Sequence, residues 1–347
     1  MHHDYELLLK RISARESTAL AVLLKTSGSV PQEPGAAALF SRKGLISGTI
    51  GGGILEATVE IKARRALKTK QPLVFDFRLD EEPSAEEGAL CGGEVTVLID
   101  PTPERDRAAW LSMERSREAR RPGLLATHLL QHKNGQTEVR RYWLAGPASA
   151  GLKLPAPLAS FRKDIQASWR AGRIRFVESP AGSLFIEPRT PLPRLIIAGA
   201  GHIGQAVSRL GTALDFEVTV IDDRPEYANA KQFPQANRII VRDIGQAVGE
   251  TPLGTDAYLV IVTRGHTRDA EALRAAVRRP SAYMGMIGSL RKVRLMRRLF
   301  LERGWATARQ WARVHTPIGL PIGSRTVAEI AVSIAAELVK VRREQSR

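Results

Sequence analysis

The sequence predicts an α/β chain in which a C-terminal domain built on a parallel sheet follows an N-terminal domain of mixed α+β type. Three observations carry this. Residues 195–198 are a short apolar run suited to a buried parallel strand, and they lead directly into Gly199-Ala200-Gly201-His202-Ile203-Gly204. Behind those glycines Ile203, Val207, Leu210 and Leu214 recur at helical spacing, and 217–221 reads as a second strand ending in Asp222-Asp223. A Pro-rich stretch at 188–193 sets this half apart, giving domains at 1–187 and 194–347 joined by a short linker. Strand, tight turn, helix, strand and acid, in that order, make the C-terminal domain Rossmann-like.

Each residue of that unit has an expected part. Gly199 permits the tight turn, Gly201 lets the backbone approach a pyrophosphate, and Gly204 lets the helix lie close to the strand, with His202 opening the helix between them. Asp222 and Asp223 fall where a carboxylate accepts from a ribose, and two adjacent acids favour NAD over NADP; Arg224 follows them. The fold alone does not choose among NAD, NADP, another nucleotide and a different phosphorylated ligand.

A chain of 347 residues holds two domains that can each bury a core without disulfides or metals. Cys91 is the single cysteine, which excludes an intrachain disulfide and suits a reducing cytoplasm. No signal-type start and no apolar run of transmembrane length is present, so a soluble, cytoplasmic protein away from membranes is expected. Lys and Arg outnumber Asp and Glu by 52 to 36, a net charge of +16 that attracts anionic ligands, acidic proteins or nucleic acid. The charge peaks at Arg291, Lys292, Arg294, Arg297, Arg298 and Arg303 on one predicted helix, for which a solvated basic face is the ordinary explanation. Aromatic residues make up 5% of the chain and no nucleic-acid motif occurs, so nucleic acid is not an expected partner.

In the N-terminal half, a helix is expected over 4–14, a strand over 18–26, an irregular loop over 27–35, and two strands at 36–40 and 45–49. The second strand runs into Gly51-Gly52-Gly53 ahead of a helix reaching about residue 67. Three glycines between strand and helix leave helix-start amides for an anion, or simply make a tight turn, while Glu56 in the first helical turn suits the helix dipole as well as a site. After a strand at 74–78 and an acidic loop at 80–87, Cys91-Gly92-Gly93 opens a strand at 94–99, where the thiol is either a small core residue or exposed to a ligand. No cluster has zinc-site spacing. A helix at 106–121, a hairpin of 123–131 and 138–144 around Asn134-Gly135, a helix at 159–171 and strands at 173–178 and 183–187 complete the domain. His128 and His132 are expected to face solvent on that hairpin.

The C-terminal half continues with strands at 237–241, 257–263 and 282–287 and a helix at 269–277. Thr263-Arg264-Gly265-His266 falls at a strand end, where Arg264 could meet a phosphate and His266 could move a proton. Gly288, with Lys292 just beyond, repeats the glycine-at-strand-end pattern as a second anion site. A glycine-rich loop, His315-Thr316-Pro317-Ile318-Gly319, precedes a closing amphipathic helix at 326–341 that carries Glu329 and Glu337.

These motifs together resemble the XdhC and CoxI family of accessory factors for molybdenum hydroxylases. The likeness rests on TSGSVP at 26–31, GTIGGGILE at 48–56, CGG at 91–93, GAGHIG at 199–204, VIDDRPE at 220–226, TRGH at 263–266, YMGMIGSLRKV at 283–293 and HTPIGLPIG at 315–323. The resemblance implies a carrier rather than a turnover enzyme. Such a carrier binds the molybdenum cofactor (molybdopterin or its dinucleotide form), supports its sulfuration with a cysteine desulfurase, and delivers it to an apo molybdenum hydroxylase of xanthine dehydrogenase type. It also implies that Cys91, in its motif with Gly92 and Gly93, contacts or orients the molybdenum centre, and that Gly51, Gly52, Gly53 and the second-domain glycines hold the phosphorylated end. Where many relatives carry a cysteine after the first glycine pair this chain has Gly53, so Cys91 is the sole sulfur contact. The alternative is an NAD-dependent oxidoreductase, motivated by 199–223 and His266. A homodimer is expected on base rates alone.

Overall fold

The computed structural model describes residues 2–79, 92–132, 135–146, 153–180 and 182–345. Cys91 and the acidic loop at 80–87 lie outside them, as does Asn134 of the expected hairpin turn. The chain divides into two units, Met1–Pro191 and Leu192–Arg347, and the expected linker straddles that division.

The first unit is built on two antiparallel sheets. Strands β1 (Ala19–Gly28), β2 (Ala37–Ser41), β3 (Gly44–Gly48), β4 (Leu73–Arg78) and β5 (Gly93–Asp100) form one, in the order β3-β2-β1-β5-β4. Strands β6 (Gly123–Gln131), β7 (Thr137–Ala145), β8 (Arg175–Ser179) and β9 (Gly182–Arg189) form the other, in the order β7-β6-β9-β8. Among the described residues, four helices cover them: α1 (His2–Ser13), α2 (Gly53–Thr69), α3 (Arg107–Glu118) and α4 (Arg162–Ala171), the last two entered through short 3-10 segments.

Because successive strand residues point to opposite faces, β1 serves two cores at once. Ala19, Ala21 and Leu23 pack with Leu55, Val59 and Ala63 of α2, whereas Leu20, Val22 and Leu24 pack with Tyr5, Leu8 and Ile12 of α1 and with Leu125 and Phe185 of the second sheet. The same alternation overturns one expectation. His128 shares its face of β6 with Leu124 and Ala126, so it is buried, with its ring edge-on to Phe161 at 5.7 Å. His132 at the strand end is exposed, as expected, with Nε2 3.1 Å from Glu138. Strand β9 also runs two residues into the expected linker, and Arg189 is held there by Glu187 and over the ring of Tyr5.

The second unit holds five parallel strands: β10 (Arg194–Ala198), β11 (Glu217–Asp222), β12 (Arg238–Val241), β13 (Ala257–Ile261) and β14 (Tyr283–Met286). Their order is β12-β11-β10-β13-β14, so the sheet grows in both directions from β10. His315 bridges Gly285 in parallel, which adds a sixth position beyond β14. The helices are α5 (His202–Ala213), α6 (Ile244–Glu250), α7 (His266–Ala276), α8 (Leu290–Glu302), α9 (Ala308–Trp311) and α10 (Val327–Gln345). Leu195 and Ile197 face the core shared with α5 and α10, while Ile196 and Ala198 face the core shared with α6, α7 and α8. Both faces of β10 are thus covered, and its uninterrupted apolar run follows from that. Because all five strands are parallel, their C-terminal ends, including the glycine-bearing turns after β10, β13 and β14, lie at one edge. No helix among the described residues is long and apolar enough to cross a membrane.

Candidate functional site

The turn after β10 is made by glycines that have no substitute. Gly199 has φ 120°, and a Cβ there would lie 2.4 Å from the carbonyl oxygen of Val262; at Gly204 it would lie 2.0 Å from that of Gly199. Gly201 differs: its φ is −71° and no atom lies within 4 Å of the Cβ position. It is the N-cap of α5 and supplies no side-chain acceptor, so the first amides of the helix stand beside open space. Exposed His202 is the first helical residue.

Asp222, the expected ribose acceptor at the end of β11, is engaged inside the protein. Its Oδ2 accepts from the Ala200 amide at 2.7 Å and from Nη2 of Arg224 at 3.0 Å, and its Oδ1 accepts from Nε of Arg224 at 2.8 Å and from the Arg224 amide at 3.1 Å. Burial pushes this carboxyl upward, but the Arg224 side chain and the two amides outweigh it and hold the group below the usual carboxylate range. Asp223 pairs with Arg268 at 3.0 Å, and Arg268 also reaches Asp243 and Glu271. Arg224 lies over the Tyr227 ring at 4.1 Å.

The turns after β13 and β14 are tied to each other by Asp269, a residue outside the sequence-predicted set. Its carboxylate is fully buried; Oδ1 accepts from the Thr263 amide at 3.1 Å and its hydroxyl at 2.7 Å, and Oδ2 accepts from Lys292. Nζ of Lys292 also donates to the Ile287 carbonyl at 3.0 Å, so the expected anion contact beside Gly288 is partly neutralised by a buried partner. Ser289 caps α8, accepting from the Lys292 amide. Arg264, Gly265 and His266 are exposed where α7 begins; Gly265 is its N-cap at φ 90°, with no side-chain cap bond and no atom within 4 Å of where a Cβ would stand. An acid in the first turn of a helix reads from sequence as dipole compensation, which is why Asp269 gave no separate signal.

A second group gathers at the far edge of this sheet. Glu337 of α10 accepts from the Tyr283 hydroxyl, from the Gly319 amide at 2.8 Å, and lies 3.0 Å from Nδ1 of His315. Glu329, by contrast, caps the start of α10 through the Arg325 and Thr326 amides.

In the first unit, three of the sequence motifs converge at the end of β1. Gly28 pairs with Gly93, and a Cβ on Gly93 would lie 2.6 Å from both the Ser29 oxygen and Val30 Cγ1. A Cβ on Gly51 would likewise lie 2.8 Å from Cγ of Pro31. Beyond this contact Gly52 and Gly53 have φ of 72° and 57°, and no atom lies within 4 Å of either Cβ position. Gly52 caps α2 without a side-chain bond. Glu56 turns back to the Thr49 hydroxyl at 2.7 Å and the Ile50 amide at 3.4 Å, so it braces the glycine turn. Gly92 is exposed beside this cluster. No group of three or more His, Cys, Asp or Glu among the described residues could hold a metal ion, and Cys91, the expected metal contact, is not among them.

The chain is similar to known proteins. Residues 195–338 match the model of the XdhC Rossmann domain, and residues 11–78 match that of the XdhC and CoxI family. The chain is 25% identical over 345 residues to a Bacillus subtilis protein described as a probable xanthine dehydrogenase subunit, covering 99% of this chain and 98% of the relative. It is 26% identical over 325 residues, 93% of its length, to Escherichia coli YqeB, of which it spans 43%. A crystal structure described as a xanthine dehydrogenase from Bacillus halodurans has the same fold, with a TM-score of 0.80 at 23% identity, covering 99% of this chain and 96% of that one. With a family model matched in each half and a full-length relative alongside, the chain belongs to the XdhC family.

Proposed function

We propose that this protein binds a molybdenum cofactor, molybdopterin or its dinucleotide form, and serves the maturation of a xanthine dehydrogenase-type hydroxylase by supporting sulfuration of the cofactor and its insertion. A cysteine desulfurase supplies the sulfur and the apo-hydroxylase receives the product. The observation that carries this is the set of uncapped helix starts at Gly52, Gly201 and Gly265, each with open space where a side chain would stand. Helix-start amides without a side-chain acceptor suit a phosphoryl group, and the positive end of the helix dipole adds to the attraction.

These residues fit a phosphorylated pterin. Gly201 and His202 would hold its phosphate on the amides of α5, with Arg264 and His266 bordering it at α7; the first unit offers a comparable turn of its own at Gly51, Gly52 and Gly53, near Gly92 and Gly93. Cys91 is the sulfur of this chain that would meet the metal. When bound, the cofactor supplies the metal–sulfur centre that the recipient enzyme uses; the work of this chain is to grip, orient and release it. The strand order is also that of NAD-binding domains. Against an oxidoreductase stands the engagement of both acids: Asp222 takes four donors and Asp223 is paired with Arg268, which leaves neither ready for a ribose diol.

The test is reconstitution. Protein purified from cells that make the cofactor, mixed with apo-hydroxylase and desulfurase, is expected to restore hydroxylase activity, and Cys91→Ser to abolish the gain. Equal activation by an unrelated basic protein, or steady hydride transfer with NAD by the chain alone, would overturn the proposal.

A further inference from the structure

His315 carries chemistry that the glycine turns do not. The segment around it runs alongside β14: its amide donates to the Met284 carbonyl at 2.8 Å and its carbonyl accepts from the Met286 amide at 3.0 Å. Thr316 Oγ1 and the Ile318 amide both donate to the Met286 carbonyl, at 3.0 and 3.1 Å, which fixes the chain on either side of the turn. The imidazole lies against the Tyr283 ring, with centroids 4.6 Å apart, and its side chain is 38% exposed. This backbone pairing and ring contact leave the imidazole few ways to turn.

Glu337 settles which nitrogen carries hydrogen. Burial raises its carboxyl, yet hydrogen bonds with His315, Tyr283 and the Gly319 amide prevail and hold it below the usual carboxylate range. An ionised carboxylate only accepts, so the nitrogen 3.0 Å away, Nδ1, must donate. In the neutral ring the lone pair is then on Nε2, on the side away from Glu337, and Nε2 has no hydrogen-bond partner among the described residues. A carboxylate on one ring nitrogen fixes the tautomer and leaves the other nitrogen free to accept, an arrangement that recurs where histidine meets a ligand. Of the three members, Tyr283 is buried and Glu337 is occupied on both oxygens, so His315 is the one that can meet a ligand.

We propose that His315 is a ligand-contacting proton acceptor at the edge of the parallel sheet, positioned by Glu337, for a bound molecule bearing an acidic ring N–H of the kind found in the pyrimidine half of a pterin. The choice of a pterin rests on the carrier function proposed above; the role of the dyad does not. His315 Nε2 accepts the hydrogen bond from the ring N–H, and Glu337 stabilises the positive charge if the proton crosses. Neither group of the dyad lies in the turn that follows β10, so binding through His315 and binding through the helix amides are separable.

The experiment uses the full-length protein with nitrogen-15 histidine, the His315 signals being identified by their loss in His315→Gln. The Nδ1–H tautomer is expected in the empty protein, and a mixture of tautomers in Glu337→Gln. Adding 6-carboxypterin is expected to shift Nε2 of His315, and His315→Leu, which removes the acceptor, to weaken binding of that probe by about tenfold, the loss of one hydrogen bond. Finding the Nε2–H tautomer, no response of His315 to 6-carboxypterin, or equal probe affinity in wild type and His315→Leu would overturn the proposal. A response to NAD, which has no ring N–H, but not to the pterin would keep His315 as a contact while overturning the ring N–H ligand and counting against the carrier function. Should Glu337→Gln fail to fold, the tautomer measured in the wild-type protein still decides.

Discussion

Oδ2 of Asp222 accepts the amide hydrogen of Ala200 at 2.7 Å, so the last residue of β11 holds the turn that follows β10. Arg224 closes the arrangement by gripping the same carboxylate with its side chain. The acid that the sequence places at a ribose therefore shapes the glycine turn from within, and its charge is already spent on the protein.

Asp222→Asn keeps the shape but loses charge-assisted bonds and turns one acceptor into a donor facing Arg224. Its expected cost is about 1–3 kcal/mol of stability, read from the urea midpoint of the full-length protein. An unchanged midpoint would mean that the carboxylate is held for a ligand and contributes little to the turn.

The two glycines flanking His202 separate folding from binding. Gly204→Ala drives a methyl to 2.0 Å from the Gly199 oxygen, and is expected to destabilise by at least about 1–3 kcal/mol, as overpacked positions do. Gly201→Ala meets open space at an ordinary φ, so its stability should stay within about 1 kcal/mol of wild type while binding of a phosphorylated ligand weakens. Thermal unfolding and calorimetric titration on the same two variants check both halves.

Asp269→Ala should be the most damaging change near the site. It leaves Lys292 and both Thr263 donors without the acceptor they share, and breaking a buried pair typically costs about 3–5 kcal/mol. Denaturation monitored by circular dichroism is the measurement, and a loss below about 1 kcal/mol would show the clasp to be dispensable.

The pH dependence follows from the direction of two shifts. Asp222 and Glu337 both lie below the ordinary carboxylate range when folded, so the unfolded chain binds their protons more readily. Their stabilisation is complete above the unfolded values, about pH 4, and is lost as pH falls through the lowered folded values. Urea midpoints measured from about pH 6 downward should fall in that window, and Asp222→Asn should flatten the fall.

Much of the fold was legible because its signals are local. The run at 195–198, the glycines after it and the helical spacing of Val207 and Leu210 specify β10, the turn and α5 without reference to any distant residue. What escaped is either too short to show a hydrophobic period or depends on partners far along the chain. Short α6 and α9 are marked only by their caps, Asp243 to Gln246 and Thr307 to Gln310, which needed no hydrophobic period. His128 looked like a hairpin surface residue because its burial depends on Phe161, thirty-three positions away in a separate turn. The acids do stand at the end of β11, but nothing local says that Arg224 and Arg268 occupy them. The group of Tyr283, His315 and Glu337 joins three segments that only the sheet brings together.

The most direct measurement is mass spectrometry of the small molecules released on denaturing the protein freshly purified from cells that make the molybdenum cofactor. Molybdopterin or its dinucleotide form, near one equivalent and diminished by Gly201→Ala, is the predicted result. Protein that is folded yet releases no pterin, or releases NAD in its place, would contradict it.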